Sequence, residues 1–171
     1  MFFSVFGAIW LILWSQRAFG LRPGILAVIV FAGAAIFAAA LRLYRQNQSA
    51  LAAEEDSPAN KKADRTFYIV NITQWVAVPV VAIVLANIGL KDWILASVIL
   101  IVGIHFFPLA RAFHNPQLNA TGVAMVVVAV GYPLIAPTGA ASPVGCLAAG
   151  IVLWASAMRS LFSNPVQRDA S

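Results

Sequence analysis

Apolar residues run along this chain in long blocks, separated by short polar or glycine- and proline-containing breaks. A membrane-crossing helix needs about 20 largely apolar residues, and six blocks reach or approach that length. The pattern predicts spans over Phe2 to Phe19, Pro23 to Leu43, Phe67 to Ile88, Asp92 to Phe113, Thr121 to Pro137, and Pro143 to Phe162. Pro23 suits the opening turn of the second, because proline lacks only an amide that a helix start leaves unbonded. Gly89 closes the third. Pro116 and Asn119 are read as a turn before the fifth, and the breaker cluster Thr138 to Pro143 separates the last two.

Runs of this length are read as helices, so the fold class expected is all-α. It is a single polytopic transmembrane bundle of six helices, with N- and C-termini together in the cytoplasm. The stretch from Tyr44 to Arg65 departs from the rest. It carries Glu54, Glu55, Asp56, Lys61, Lys62, Asp64 and Arg65, and residues 44–66 read as one polar cytoplasmic loop with a short surface helix near Leu51 to Glu55.

Composition supports lipid as the main solvent. Of 171 residues, 61% are hydrophobic and only 10% charged, and the mean hydropathy is +0.87. A soluble domain is usually about one quarter charged, and so few charges cannot cover a water-facing surface. No Lys or Arg precedes the first apolar run, and Ser15 to Gly20 lacks a small-residue cleavage pattern, so a retained helix is expected rather than a signal peptide.

The net charge of +5 matters through its placement. An even number of spans puts eight of the eleven basic residues on one side: Arg42, Arg45, Lys61, Lys62, Arg65, Arg111, Arg159 and Arg168. Only Arg17, Arg22 and Lys91 fall on the other side. The excess of Lys and Arg in cytoplasmic segments sets that side as the inner one. No basic patch interleaved with aromatics points to nucleic acid.

Small residues gather in two spans, from Gly33 to Ala40 and at Gly145, Ala148, Ala149 and Gly150. Such residues let helix backbones approach closely in lipid. They are expected to pack helices and, as a weaker alternative, to form a homo-oligomer. Pro79, Pro108 and Pro133 lie inside spans, where each removes an amide donor.

Candidate chemistry is sparse. Asn71, Gln74 and His105 fall at one depth, and Ser156 and Arg159 approach the same level. Asn71 and Gln74 share a helix face, the third and fourth spans are antiparallel neighbours, and His105 is expected to face Asn71 or Gln74. An ionisable side chain inside a membrane is a functional candidate by default. The layer fits a polar cavity for solute or ion permeation; the alternative is a structural layer that ties helices together in a non-enzymatic accessory protein.

No cofactor is implied. His114 is the only other histidine and lies on the same span, Cys146 is the single cysteine and starts near the opposite face, and zinc usually takes three or four ligands at defined spacing. Acidic residues are confined to loops and interfaces, so no nucleophile, acid and base meet, and an enzyme is not the expected class. Membrane lipids are the partner implied, with a second copy through the small-residue faces as the weaker alternative.

The stretch from His105 to Pro116, followed by Thr121-Gly122, resembles an uncharacterised family of small six-helix bacterial integral membrane proteins. Their His-Phe-x-Pro-Leu-Ala pattern, with a later aromatic, proline and Thr-Gly, is matched by His105, Phe106, Pro108, Leu109, Ala110, Phe113, Pro116, Thr121 and Gly122. The resemblance implies a six-helix membrane fold, a multi-pass place in the bacterial cytoplasmic (inner) membrane, and no particular activity.

Overall fold

The computed structural model describes residues 2–46 and 58–162, the side chains of 58–62 excepted. Six α-helices account for almost all of them: α1 (Phe2–Phe19), α2 (Pro23–Gln46), α3 (Pro58–Asn87), α4 (Ile94–Ala112), α5 (Pro116–Ile135) and α6 (Val144–Phe162). No strand occurs among the described residues. All six helices are long and apolar enough to cross a membrane. The chain is therefore an all-α, multi-pass membrane bundle.

Two helix starts lie several residues before the apolar runs, each for a local reason. The third span was expected from Phe67, but its helix begins at Pro58. Proline again serves a helix start, and alanine and lysine continue the helix outside the apolar zone. Residues 58–66 of the polar stretch are thus the first turns of α3, and 44–46 complete α2. The short helix expected near Leu51 to Glu55 lies outside the described residues. In the fifth span, Pro116 is the first helical residue and not part of a turn, because Asn115 caps the helix: its side-chain oxygen accepts from the Gln117 amide at 3.0 Å.

The turns are tight. Gly89, at φ +81°, lets α3 end with the Leu90 amide bonded to the Leu85 carbonyl at 2.8 Å, and a short 3-10 turn at Lys91–Trp93 leads into α4. At the end of α4, His114 takes the left-handed conformation (φ 48°), and the Asn115 amide reaches the Ala110 carbonyl at 3.0 Å. His114 is therefore a turn residue. Between α5 and α6, the Tyr132 hydroxyl donates to the Ala140 carbonyl at 3.0 Å and fastens the connection to the bundle.

The centre of the bundle is α1, α4, α5 and α6. The most extensive pairings are α4 with α5 and α1 with α6; α3 leans on α4, and α2 on α1 with a minor contact to α6. Ile99, Met125, Ala149 and Leu153 are essentially inaccessible and mark the core. From Thr66 to Asn87, α3 has no fully buried side chain.

Close approach explains the central pairings. A Cβ on Gly122 would stand 2.9 Å from the Gly103 carbonyl oxygen, so α5 and α4 meet almost backbone to backbone. Gly150 lies under Leu11, where a Cβ would be 2.6 Å from Leu11 Cγ, and Gly7 lies against the Trp154 indole. That indole donates to the Ser4 carbonyl at 3.1 Å. Gly33 of α2 meets Ala8, with 3.2 Å from its virtual Cβ, and Ala149 is fully enclosed. Both expected contact positions are helix contacts within one chain. Ala34, Ala35, Ala38 and Ala39, by contrast, are exposed.

Gly122→Leu is expected to lower stability by about 1–3 kcal/mol, the usual cost of overpacking, and Gly33→Leu and Ala149→Leu should act in the same direction. Gly131 has open space around it, so Gly131→Ala should be neutral or gain up to about 1 kcal/mol from helix propensity. Thermal unfolding in detergent separates the two sets. Equal behaviour of Gly122→Leu and Gly131→Ala would contradict the packing described here.

Candidate functional site

The five polar candidates do not form one layer; they divide between two seams. Asn71, Gln74 and His105 sit along α3 and α4. Ser156 and Arg159 belong to the α5–α6 seam, where they meet Gln117 and Thr121.

At the first seam, the imidazole of His105 is half-buried and interacts with the backbone of Val70 on α3. The expected orientation toward α3 holds, but the partner differs. Asn71 donates its amide to its own helix, at the Phe67 carbonyl, 2.9 Å away. A carbonyl four residues back is always within reach of such a side chain, so the bond needs no neighbouring helix. Gln74, one turn beyond Val70 on the same face, leaves its Oε1 buried without a hydrogen-bond partner, and His105 Nδ1 is in the same condition. A hydrogen bond joining His105 to Asn71 or Gln74 is absent. The third such atom among the described residues is Ser15 Oγ on α1.

Aromatic rings secure one end of this seam. Phe67 of α3 stands between Phe2 of α1 and Phe113 of α4, at centroid distances of 6.2 and 6.3 Å. Phe106 packs edge-on to Phe3 at 5.5 Å and to the His105 ring at 5.4 Å. These contacts place the starts of α1 and α3 and the end of α4 on one face of the bundle, in the alternating order expected of successive crossings.

At the second seam the polar groups are paired. Gln117 Nε2 donates to the Ser156 carbonyl at 2.8 Å, and the hydroxyls of Thr121 and Ser156 are 2.8 Å apart. Thr121 Oγ1 also donates to the Gln117 carbonyl at 3.0 Å, which assigns the donor in the hydroxyl pair to Ser156. These groups, with Arg159, line an open groove of about 220 Å³. Gln117 was not recognised from sequence because its segment read as a turn. Thr121 entered only as part of the Thr-Gly pair, although its position one turn after Gln117 was legible.

Among the described residues, no three His, Cys, Asp or Glu side chains converge as a metal site would require. His114 is occupied in the α4–α5 turn, and Cys146 is buried near the start of α6.

The cross-helix hydroxyl pair can be measured. Thr121→Val and Ser156→Ala should each destabilise the protein, with a coupling energy in a double-mutant cycle of about 0.6 kcal/mol and at most about 1.7, the range for polar contacts between membrane helices. Full additivity of the two substitutions would show that the hydroxyls do not interact.

Comparison with protein-family models, with curated proteins and with solved structures returned no match. The resemblance carried by His105 to Gly122 accordingly assigns no family, and what stands is the architecture itself: a small, highly hydrophobic membrane protein of six helices.

Proposed function

We propose that this chain is a non-enzymatic protein of the bacterial inner membrane whose α3–α4 seam admits a small polar solute, water or an ion. The observation that carries this reading is the pair of buried, unpartnered polar atoms, Gln74 Oε1 and His105 Nδ1. In hydrocarbon, each such group costs several kcal/mol when it has no partner. Both lie on helices that face one another, and each is a group that a polar molecule would stabilise. The placement of α3 fits, because it leans mainly on α4 and buries no side chain fully from Thr66 to Asn87.

A structural role is the second reading, and one observation favours it. His105 lines neither the groove at Ala38 to Gln46 nor the one between α5 and α6, and its ring already meets the Val70 backbone. In that case the seam only sets the contact between α3 and α4. Association of copies through the outward alanines of α2 is compatible with either reading.

The orientation proposed has both ends of the chain in the cytoplasm, supported by the placement of basic residues. Single cysteines at positions 61 and 91, in a Cys146→Ser background, should be labelled by an impermeant reagent from opposite faces of inner-membrane vesicles. Labelling of both from one face would refute the topology.

The two readings of the seam part company at the imidazole. Ring-labelled protein in bilayer nanodiscs, with His114→Gln to leave a single signal, should show His105 titrating between about pH 5 and 8 and exchanging with water. His105→Leu should remain folded and lose that signal. An imidazole that stays neutral and protected from water down to about pH 5 would end the solute reading and leave the structural one.

A further inference from the structure

The last turns of α2 run past the end of the bundle. Gly33 meets Ala8 and the Ser4 carbonyl of α1, at 3.2 and 3.8 Å from its virtual Cβ, so it stands about level with Phe6. The two helices are antiparallel across the short turn at Gly20 to Arg22, and α2 therefore draws level with Phe2 near Phe37. Phe2, Phe67 and Phe113 form a row. From Phe67 to Asn87 α3 rises roughly 30 Å, the thickness of a bilayer's hydrocarbon, so this row marks one edge of it. Ala38 lies at that edge, Arg42 roughly 7 Å beyond it and Arg45 roughly 12 Å. The headgroup layer adds roughly 5–8 Å on each side. Arg42 stands within it, and the long side chain of Arg45 reaches back into it.

This end of α2 presents one continuous face. Ala38, Leu41, Arg42, Arg45 and Gln46 line it, at the spacing of one helix side. Leu41 is half-buried and the other four are exposed. Toward the membrane centre, exposed Ala34 and Ala35 continue the face as far as Phe31. Polarity therefore follows depth, with small apolar residues inside the hydrocarbon edge and both arginines outside it. Among the described residues, no acidic side chain lines the face and neither arginine is joined to one. Two positive charges one turn apart, above a shallow apolar surface, complement an anion that carries a hydrocarbon tail.

We propose that this face of α2 binds a glycerophospholipid with an anionic headgroup. The phosphodiester sits between Arg42 and Arg45, and one acyl chain runs over Ala38, Ala35 and Ala34. A guanidinium fork suits phosphate oxygens, and basic residues just outside a membrane helix attract anionic headgroups. Arg45 lies in the last turn of α2, where it also offsets the partial negative charge of the helix end. Arg42 therefore contributes more. The site is separate from the α3–α4 seam, and it holds whichever way the chain faces across the membrane.

The test uses the full chain in neutral detergent, titrated with phosphatidylglycerol, phosphatidylcholine or inorganic phosphate. Native mass spectrometry reads bound lipid and thermal unfolding reads stabilisation. Phosphatidylglycerol should bind and raise the unfolding temperature, and the other two should not. Arg42→Gln should weaken binding about fivefold, the effect of one basic side chain near an anionic headgroup, and Arg45→Gln by less. The double variant should bind phosphatidylglycerol no better than phosphatidylcholine. Both side chains are exposed, so without lipid these variants should unfold where the unaltered protein does. Arg65→Gln, exposed on α3 just outside the same edge, should change nothing. The proposal fails if the double variant keeps its preference for phosphatidylglycerol. Equal weakening by Arg65→Gln, or equal stabilisation by phosphate alone, would overturn it as well. So would efficient disulfide crosslinking of two copies through Ala38→Cys, in a Cys146→Ser background in phosphatidylglycerol bilayers, because a second copy would then cover the face.

Discussion

The bundle depends on how closely its helix backbones can approach in a solvent that does not expel apolar surface. Lipid is as apolar as leucine, so association rests on dispersion and on contact at short range. Gly103 and Gly122 bring α4 and α5 together, and Gly7 and Gly150 bring α1 and α6 together through Trp154 and Leu11. Where these glycines occur, the helices form the core. Where they do not, helices remain at the margin: α2 contributes Gly33 and little else that is buried, and α3 contributes nothing fully buried between Thr66 and Asn87. The same rule that packs the centre leaves α2 and α3 outside it.

Polar side chains along the helices meet three different ends. Asn71, Thr73 and Asn87 return to carbonyls of their own helix at 2.9 Å, so they add nothing between helices. Gln117, Thr121, Ser156 and Trp154 bond across helices and fix the pairs α5–α6 and α1–α6. Gln74 Oε1, His105 Nδ1 and Ser15 Oγ are buried and unsatisfied. A buried group without a partner is unfavourable in proportion to the dryness of its surroundings, which is why the functional proposal rests on the third set and not on the second.

Sequence reasoning reached the six spans because hydropathy acts over whole segments and averages out local error. The first span was legible to the residue, and the small residues Gly33 and Ala149 were legible as contacts. Helix starts were not. At Asn115-Pro116 and at Pro58, the same local pattern serves both a turn and a helix start, and the residues after the proline decide between them. The depth of the polar residues was readable from helix rise, but their partners were not. Partner choice depends on helix rotation and adjacency: Val70, not Asn71, faces His105, and Ser156 faces α5. An amide's option to bond its own carbonyl four residues back is likewise open at every such position, and only the neighbouring surface settles it.

Both polar seams lie in the same half of the bilayer. Val70, Gln74 and His105 are near the end of the bundle where α1 and α3 begin, and Gln117, Thr121 and Ser156 are at that end of α5 and α6. Toward the other end, Tyr132 packs on Gly145, where a Cβ would be 2.7 Å from the ring, and its hydroxyl bonds to the Ala140 carbonyl. From Trp75 to Ala86, α3 presents only apolar side chains, roughly 18 Å of helix. Under the proposed reading, a solute at Gln74 and His105 therefore stands in front of an apolar barrier and not inside an open pore. Passage across that barrier requires α3 to move against α4. Pro79 lies in the middle of the barrier segment, where its missing amide removes one helical bond and makes this the point at which α3 bends at least cost.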